Sequence, residues 1–158
     1  MKEQEFIKKY SDPIIFATVG TPLFPSVKMA QAALESYWGN STIGTANNLF
    51  GIKATGSHTP YWKGDFVTAT TTENYGSGTT VIQAKFRAYE TLSDSVKDHS
   101  HILLTLSRYE RVRTATTPEQ QAKALQDCGY ATDTNYANKL IHLINQYNLK
   151  ELDKKKTS

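Results

Sequence analysis

One stretch, from Phe66 to Tyr89, limits the folds open to this chain more than any other. Phe66–Thr72 (FVTATTT) is dense in β-branched residues, Tyr75-Gly76-Ser77-Gly78 reads as a turn, and Thr79–Tyr89 (TTVIQAKFRAY) alternates as a return strand. The segments on both sides carry apolar residues at helical spacing. A single β-hairpin set into a helical chain reads as an α+β fold.

The flanking helices can be placed from their patterns. Gln4 to Tyr10 puts Phe6, Ile7 and Tyr10 on one face, and Ser11-Asp12-Pro13 is expected to stop it. Ile14 to Val19 reads equally as a helix or a buried extended piece. Pro25-Ser26 heads a helix ending at Tyr37, with Val27, Ala30, Ala33 and Leu34 inward and Gly39 as its left-handed stop. After the hairpin, Ser93 to Leu106 directs Val96, Leu103 and Leu106 inward. Pro118 to Cys128 follows, stopped by Gly129. Asp133 or Thr134 then caps a last helix carrying Tyr136, Leu140, Leu143, Ile144 and Tyr147. At 158 residues the chain is long enough for one core and short for two. The expected layout is one domain over residues 1–150 and a charged, frayed tail over 151–158.

Composition removes several function classes. Eighteen basic residues stand against fifteen acidic ones, and the only basic run is Lys154-Lys155-Lys156, so no nucleic-acid footprint is expected. The one cysteine, Cys128, excludes an internal disulfide and a cysteine-based metal site. Four histidines form no HExxH pattern, and His99 and His101 would point to different helix faces. No metal and no cofactor are expected. No stretch approaches the ~20 apolar residues of a membrane span. The N-terminus lacks the apolar core of a secretory signal, so export would use another route or follow removal of a leader. A monomer is expected.

Glu35 is the residue with the most chemistry to explain. It lies in the last turn of its helix, where the macrodipole disfavours a second negative charge, and Tyr37 and Trp38 beside it are expected to desolvate it. Both effects favour the protonated carboxyl, the form a general acid requires. A solvated glutamate on an exposed helix face fits the same pattern. From the local sequence both readings stand.

The wider motif pattern adds to this. Ala32-Ala33-Leu34-Glu35-Ser36-Tyr37-Trp38-Gly39, then Asn48-Leu49-Phe50-Gly51-Ile52-Lys53, and finally Gly129-Tyr130-Ala131-Thr132-Asp133 with Asn135-Tyr136-Ala137 appear in order. Together with Phe86-Arg87-Ala88-Tyr89, they resemble the motifs of the peptidoglycan-cleaving glucosaminidases of glycoside hydrolase family 73, over about Phe6 to Leu149. The resemblance implies a lysozyme-like fold, with a helical lobe, a small β lobe and a saccharide groove between them. It also implies hydrolysis of the β-1,4 bond following N-acetylglucosamine, with Glu35 as the general acid. A muramidase on the same fold, or a wall-binding module without turnover, are the alternatives. The implied place of action is the bacterial wall, reached by phage or effector delivery or as a trimmed autolysin.

The resemblance also asks for a second catalytic group. Glu73, near the hairpin tip, is the candidate carboxylate, ahead of Asp65 and Glu90. A separation of roughly 6.5–9.5 Å from Glu35 would suit inversion, and ~5 Å a nucleophile. Alternatively the substrate's own N-acetyl oxygen attacks, steadied by Tyr130, which matches a functionally important family tyrosine. Tyr61 and Trp62 are candidate sugar platforms, because pyranose C–H faces pack on aromatic rings. Trp62 reads equally as a β-lobe packing residue. Asn48 is a candidate partner for an acetamido group or, equally, for loop backbone, and Phe50 is a further substrate-side residue that suits packing more than binding. Where this chain has Tyr37 the family usually has a small residue, often glycine. A ring there narrows a subsite or faces outward.

Overall fold

The computed structural model describes residues 2–41, 43, 46–74 and 78–156, with the side chains of Glu73, Asn74 and Thr79 outside the description. Seven helices and one two-stranded antiparallel sheet are present among them: α1 (Glu3–Phe16), α2 (Pro25–Ser36), β1 (Phe66–Asn74), β2 (Thr79–Arg87), α3 (Leu92–Thr105), α4 (Glu110–Thr114), α5 (Pro118–Asp127), α6 (Tyr136–Gln146) and α7 (Lys150–Lys155). The α+β class expected from the hairpin is the one observed.

The helical body is built around α2, which packs against α1, α5, α6 and α7. Ala30, Ala32 and Ala33 are fully buried, and their small side chains let these neighbours approach from several sides. Phe6, Ile14, Met29, Leu49, Leu125, Leu140 and Ile144 fill the spaces between helices. Each such side chain contributes about 1.5–3 kcal/mol by leaving water. Two residues of α2 break the apolar pattern. Lys28 and Gln31 are buried as deeply as the alanines, so their polar ends must find partners inside the protein.

Three expectations change, and one connection without a stated expectation gains structure. Pro13 does not stop α1, which runs through it to Phe16. Pro13 gives up its own hydrogen bond and crowds the carbonyl one turn back, and burial of Ile14, continuing the stripe begun by Phe6 and Tyr10, offsets that cost. Leu106 is not inward: it ends α3 in an extended conformation and is 46% exposed. The connection between α3 and α5 holds a 3-10 turn (Ser107–Tyr109) and α4, which bury Tyr109 and Val112. Finally, the C-terminal segment is docked, not frayed. Leu152 is buried, and Asp153 accepts from Ser26 N at 2.8 Å and Ser26 Oγ at 2.7 Å. Asp153 thereby satisfies a donor at the head of α2, where a carboxylate also complements the helix dipole. Lys156 donates to the Leu23 carbonyl at 2.8 Å.

The hairpin pairs Phe66 with Arg87 through Asn74 with Thr79 in unbroken register. Alternation places Val67, Ala69 and Thr71, opposite Phe86, Ala84 and Ile82, on its half-covered face. The expected turn at Tyr75-Gly76-Ser77 lies outside the described residues. One buried carboxylate fastens the hairpin to the body. Asp98 of α3 holds Arg87 Nη1 at 2.8 Å, the Tyr89 hydroxyl at 2.5 Å and Thr59 Oγ1 at 2.6 Å. The Arg87 guanidinium lies 4.0 Å above the Trp62 ring. A charge removed from water this completely persists only because every side of it is met by a donor or counter-charge.

Candidate active site

A groove of about 1520 Å³ runs between the helical body and the half-covered hairpin face. Leu34, Glu35 and the Gly51 loop form one part of its wall, α3 from His99 to Thr105 with the following Leu106 a second, and the Gly129–Asp133 turn a third. Glu35 is half-buried at the end of α2.

Two features fix its carboxylate. The first is Gly51, whose φ of +61° is left-handed. A Cβ placed there would stand 3.4 Å from Glu35 Oε2. The loop after Phe50 therefore runs in contact with the carboxyl, and the left-handed backbone, rather than a lack of room, is what favours glycine here. The second is Tyr136, whose hydroxyl accepts from Gln31 Nε2 at 3.0 Å and lies close enough to Glu35 for the carboxylate to act on its phenol. Gln31 lies one turn before Glu35 on α2, so one helix face presents both side chains to the phenol. Burial, then the Glu35 charge, push the Tyr136 phenol well above its usual range.

Tyr130 stands alongside, stacked on Tyr136 at 5.7 Å between centroids. Burial, and next the Glu35 carboxylate, raise its phenol well above the ordinary value, so it remains a neutral hydroxyl. Glu35 and Tyr130 both line the groove.

The aromatic neighbours of Glu35 differ from the expectation. Tyr37 is 70% exposed, and Trp38 turns into the body against Phe6 and Tyr147. The carboxyl is enclosed instead by Gly51, Tyr130 and Tyr136. The helix stop also differs: Tyr37 and Trp38 are already left-handed, at φ 51° and 58°, ahead of Gly39 at 83°. Glycine is the residue that adopts this conformation without strain, which gives a backbone reason for the small residue that the sequence departs from here.

The candidate substrate-side residues separate. Phe50 lines the groove but is 1% exposed, stacked on His99 with ring centroids 3.9 Å apart. Asn48 does not reach the groove. Its amide donates to the Ile52 and Arg87 carbonyls, both at 2.9 Å, and accepts from Ile52 N at 3.0 Å. Asn48 is a clamp between the Gly51 loop and β2, and its amide is spent on backbone. Trp62 is buried beneath Arg87 and donates to the Asp65 carbonyl at 2.7 Å, so its ring is a packing surface for the β lobe. Tyr61 is outside the groove wall, in a second hollow beside His101. Glu73 pairs with Thr80 in β1, at a strand position of the same parity as Val67, Ala69 and Thr71. Its side chain lies outside the description.

Sequence reasoning did not single out Lys28 or Gln31, and gave Tyr136 only a packing role. A lysine and a glutamine on the inward face of an alanine-rich helix were the available signal. Lys28 Nζ lies 2.6 Å from His99 Nδ1. Burial lowers the pKa of Lys28, and burial followed by the Lys28 charge lowers that of His99, which stays neutral.

Residues 17–149 match the glucosaminidase family, described as mannosyl-glycoprotein endo-beta-N-acetylglucosaminidase. The chain belongs to this family. It is 40% identical over 146 residues to the peptidoglycan hydrolase FlgJ of Escherichia coli (strain K12), covering 89% of this chain and 45% of that one. To the exo-glucosaminidase LytG of Bacillus subtilis (strain 168) it is 39% identical over 137 residues, covering 83% and 46%. The chain thus spans about half the length of these curated relatives. A peptidoglycan hydrolase mutant from Sphingomonas sp. A1 superposes with a TM-score of 0.82 at 33% identity, covering 94% of this chain and 97% of that one. The glucosaminidase match accords with the lysozyme-like arrangement of helical body, hairpin and groove.

Proposed function

We propose that this chain is a peptidoglycan N-acetylglucosaminidase that hydrolyses the β-1,4 bond following N-acetylglucosamine, with Glu35 as general acid. The observation that carries the reading is the enclosed carboxyl of Glu35 on the groove wall, held between Gly51 and the Tyr136 hydroxyl. The groove has an extended opening suited to a polymer, and one chain builds it, so a monomer suffices. The names of the relatives, peptidoglycan hydrolase and exo-glucosaminidase, point to the same substrate. That substrate puts the working enzyme at the bacterial wall.

In this reading Glu35, protonated, gives its proton to the leaving glycosidic oxygen as the C–O bond breaks and positive charge develops at the sugar's anomeric carbon. The resulting carboxylate is met by the Tyr136 hydroxyl. Beside it, the neutral Tyr130 hydroxyl steadies the substrate's acetamido group as its oxygen closes on the anomeric carbon. Glu73 is the alternative second group, delivering a water from the hairpin.

The test is release of reducing ends from purified sacculi by the wild-type protein and by Glu35→Gln. Loss of a general acid lowers turnover by about 10²–10⁴-fold. Mass spectrometry should find N-acetylglucosamine at the new reducing ends. N-acetylmuramic acid there would make the enzyme a muramidase, and binding without any release would make it a wall-binding module.

A further inference from the structure

We infer that the hollow beside His101 is a second binding site, and that it takes an acidic peptide branching from the saccharide strand. The inference rests on the proposed peptidoglycan substrate, whose strands carry short peptides of alanine and carboxylate-bearing residues on alternate sugars. The hollow measures about 390 Å³, within the range of about 300–1,000 Å³ typical of small-ligand sites. Phe16 at the end of α1, Tyr61, and Lys97, His101 and Leu104 of α3 form its wall.

Position gives the first reason. His101 lines both the groove and the hollow, and the Tyr61 ring stands edge-on to it at 6.2 Å. Thr59, also on the groove wall, accepts from the Tyr61 amide at 3.1 Å. A group hanging from a strand in the groove therefore reaches the hollow across a single side chain. Tyr61, which sequence reasoning placed against sugar, belongs to this space.

Chemistry gives the second reason. Phe16 is 73% exposed on the outward side of α1, away from the stripe of Phe6, Tyr10 and Ile14. Together with Leu104 and Tyr61 it offers apolar surface matched to alanine methyl groups. Lys97 is exposed and has no carboxylate within ion-pair distance among the described residues. Ser100 nearby spends its hydroxyl on the Ala17 carbonyl at 2.8 Å. The hollow is thus apolar with one available cation. That fits a short peptide bearing a carboxylate better than a neutral sugar, which would leave the ammonium unanswered.

Two substrates separate the hollow from the groove: glycan strands with their peptides, and the same strands stripped by an amidase. Lys97→Glu and Phe16→Ser alter exposed side chains, so the fold should persist. Each should raise KM on peptide-bearing strands by about fivefold, the scale of one exposed ion pair, with stripped strands cleaved as by wild type. Equal effects on both substrates, or none on either, would overturn the proposal. A second measurement is independent of catalysis. Titration of the Glu35→Gln protein with the free tetrapeptide L-alanyl-γ-D-glutamyl-L-lysyl-D-alanine should shift the NMR signals of Lys97, His101 and Tyr61. Shifts there with tetra-N-acetylchitotetraose instead of the peptide would assign the hollow to sugar. If wild type cleaves neither substrate, the glycosidase reading fails, and the peptide titration still decides this one.

Discussion

The hydroxyl of Tyr136 accepts from Gln31 Nε2 at 3.0 Å, which fixes the phenol of α6 beside Glu35 at the end of α2, where the carboxylate charge helps to raise its pKa. A phenol held there as a donor would stabilise the ionised carboxylate relative to its protonated form. Tyr136→Phe keeps the ring and its stacking on Tyr130 but removes the donor. Turnover should fall by about tenfold or more, the scale of a hydrogen bond to a charged group, with KM little changed. The sign on pH follows. Without the donor the protonated acid persists to higher pH, so the basic limb of the pH–rate profile should move upward. A variant with wild-type turnover and an unmoved limb would take Tyr136 out of the mechanism.

Gly51→Ala tests the close approach on the other side. The added methyl meets Glu35 Oε2 at 3.4 Å on a backbone at φ +61°. The left-handed conformation costs an alanine about 1–2 kcal/mol relative to glycine. The melting temperature should fall by about 2–4 °C per kcal/mol for a chain of this size. The methyl reaches the acid only at ordinary contact distance, so activity per folded molecule should change little. A loss of activity well beyond the loss of stability would show that the carboxyl does not tolerate the contact.

Tyr37 presents the opposite case. Its φ of 51° is strained for a tyrosine, and its exposed ring gains little from packing. Tyr37→Gly should therefore stabilise the protein, by about 1 kcal/mol or a rise of about 2–4 °C in Tm. Tyr37 also lines the groove, so the same variant should change the ratio of KM values between long and short glycan strands. Differential scanning calorimetry and kinetics on the two substrates check both parts.

How far these features were legible in the sequence depended on range. The hairpin, α2, α5 and the position of Glu35 near a helix end follow from patterns within a dozen residues, and the structure shows each of them. Pro13 and Leu106 were misjudged because local rules ignore what tertiary packing adds. Continued burial at Ile14 carries a helix through a proline, and an extended residue can turn a leucine outward. Asn48 was a candidate for the groove because an amide suits an acetamido group, and Trp62 and Tyr61 because aromatic rings on a loop beside the hairpin suit sugar faces. Their partners, the Arg87 carbonyl, the Arg87 guanidinium and His101, lie 39, 25 and 40 residues away, and nothing in the local sequence names them. The Gln31–Tyr136 bond spans 105 residues and is equally invisible to spacing.

The same long-range pairing makes Lys28 and His99 a test of pH-dependent stability. Both are fully buried, and burial lowers the pKa of each below its unfolded value. On acidification below about 6.5, the unfolded chain takes up a proton on its histidine that the folded one refuses. Lys28 acts in the same direction from higher pH. Stability should be highest above the unfolded histidine pKa and decline as pH falls toward the lowered folded value, read as a falling Tm between about pH 7 and 5. His99→Phe should destabilise the protein at neutral pH, because Lys28 loses its 2.6 Å partner inside the core. Adding Lys28→Met should restore much of that loss, since replacing both members of a buried polar pair by apolar groups is close to neutral. The double variant should also show a shallower fall in Tm between pH 7 and 5. A double variant no more stable than His99→Phe alone, with an unchanged pH slope, would show that the pair is not coupled.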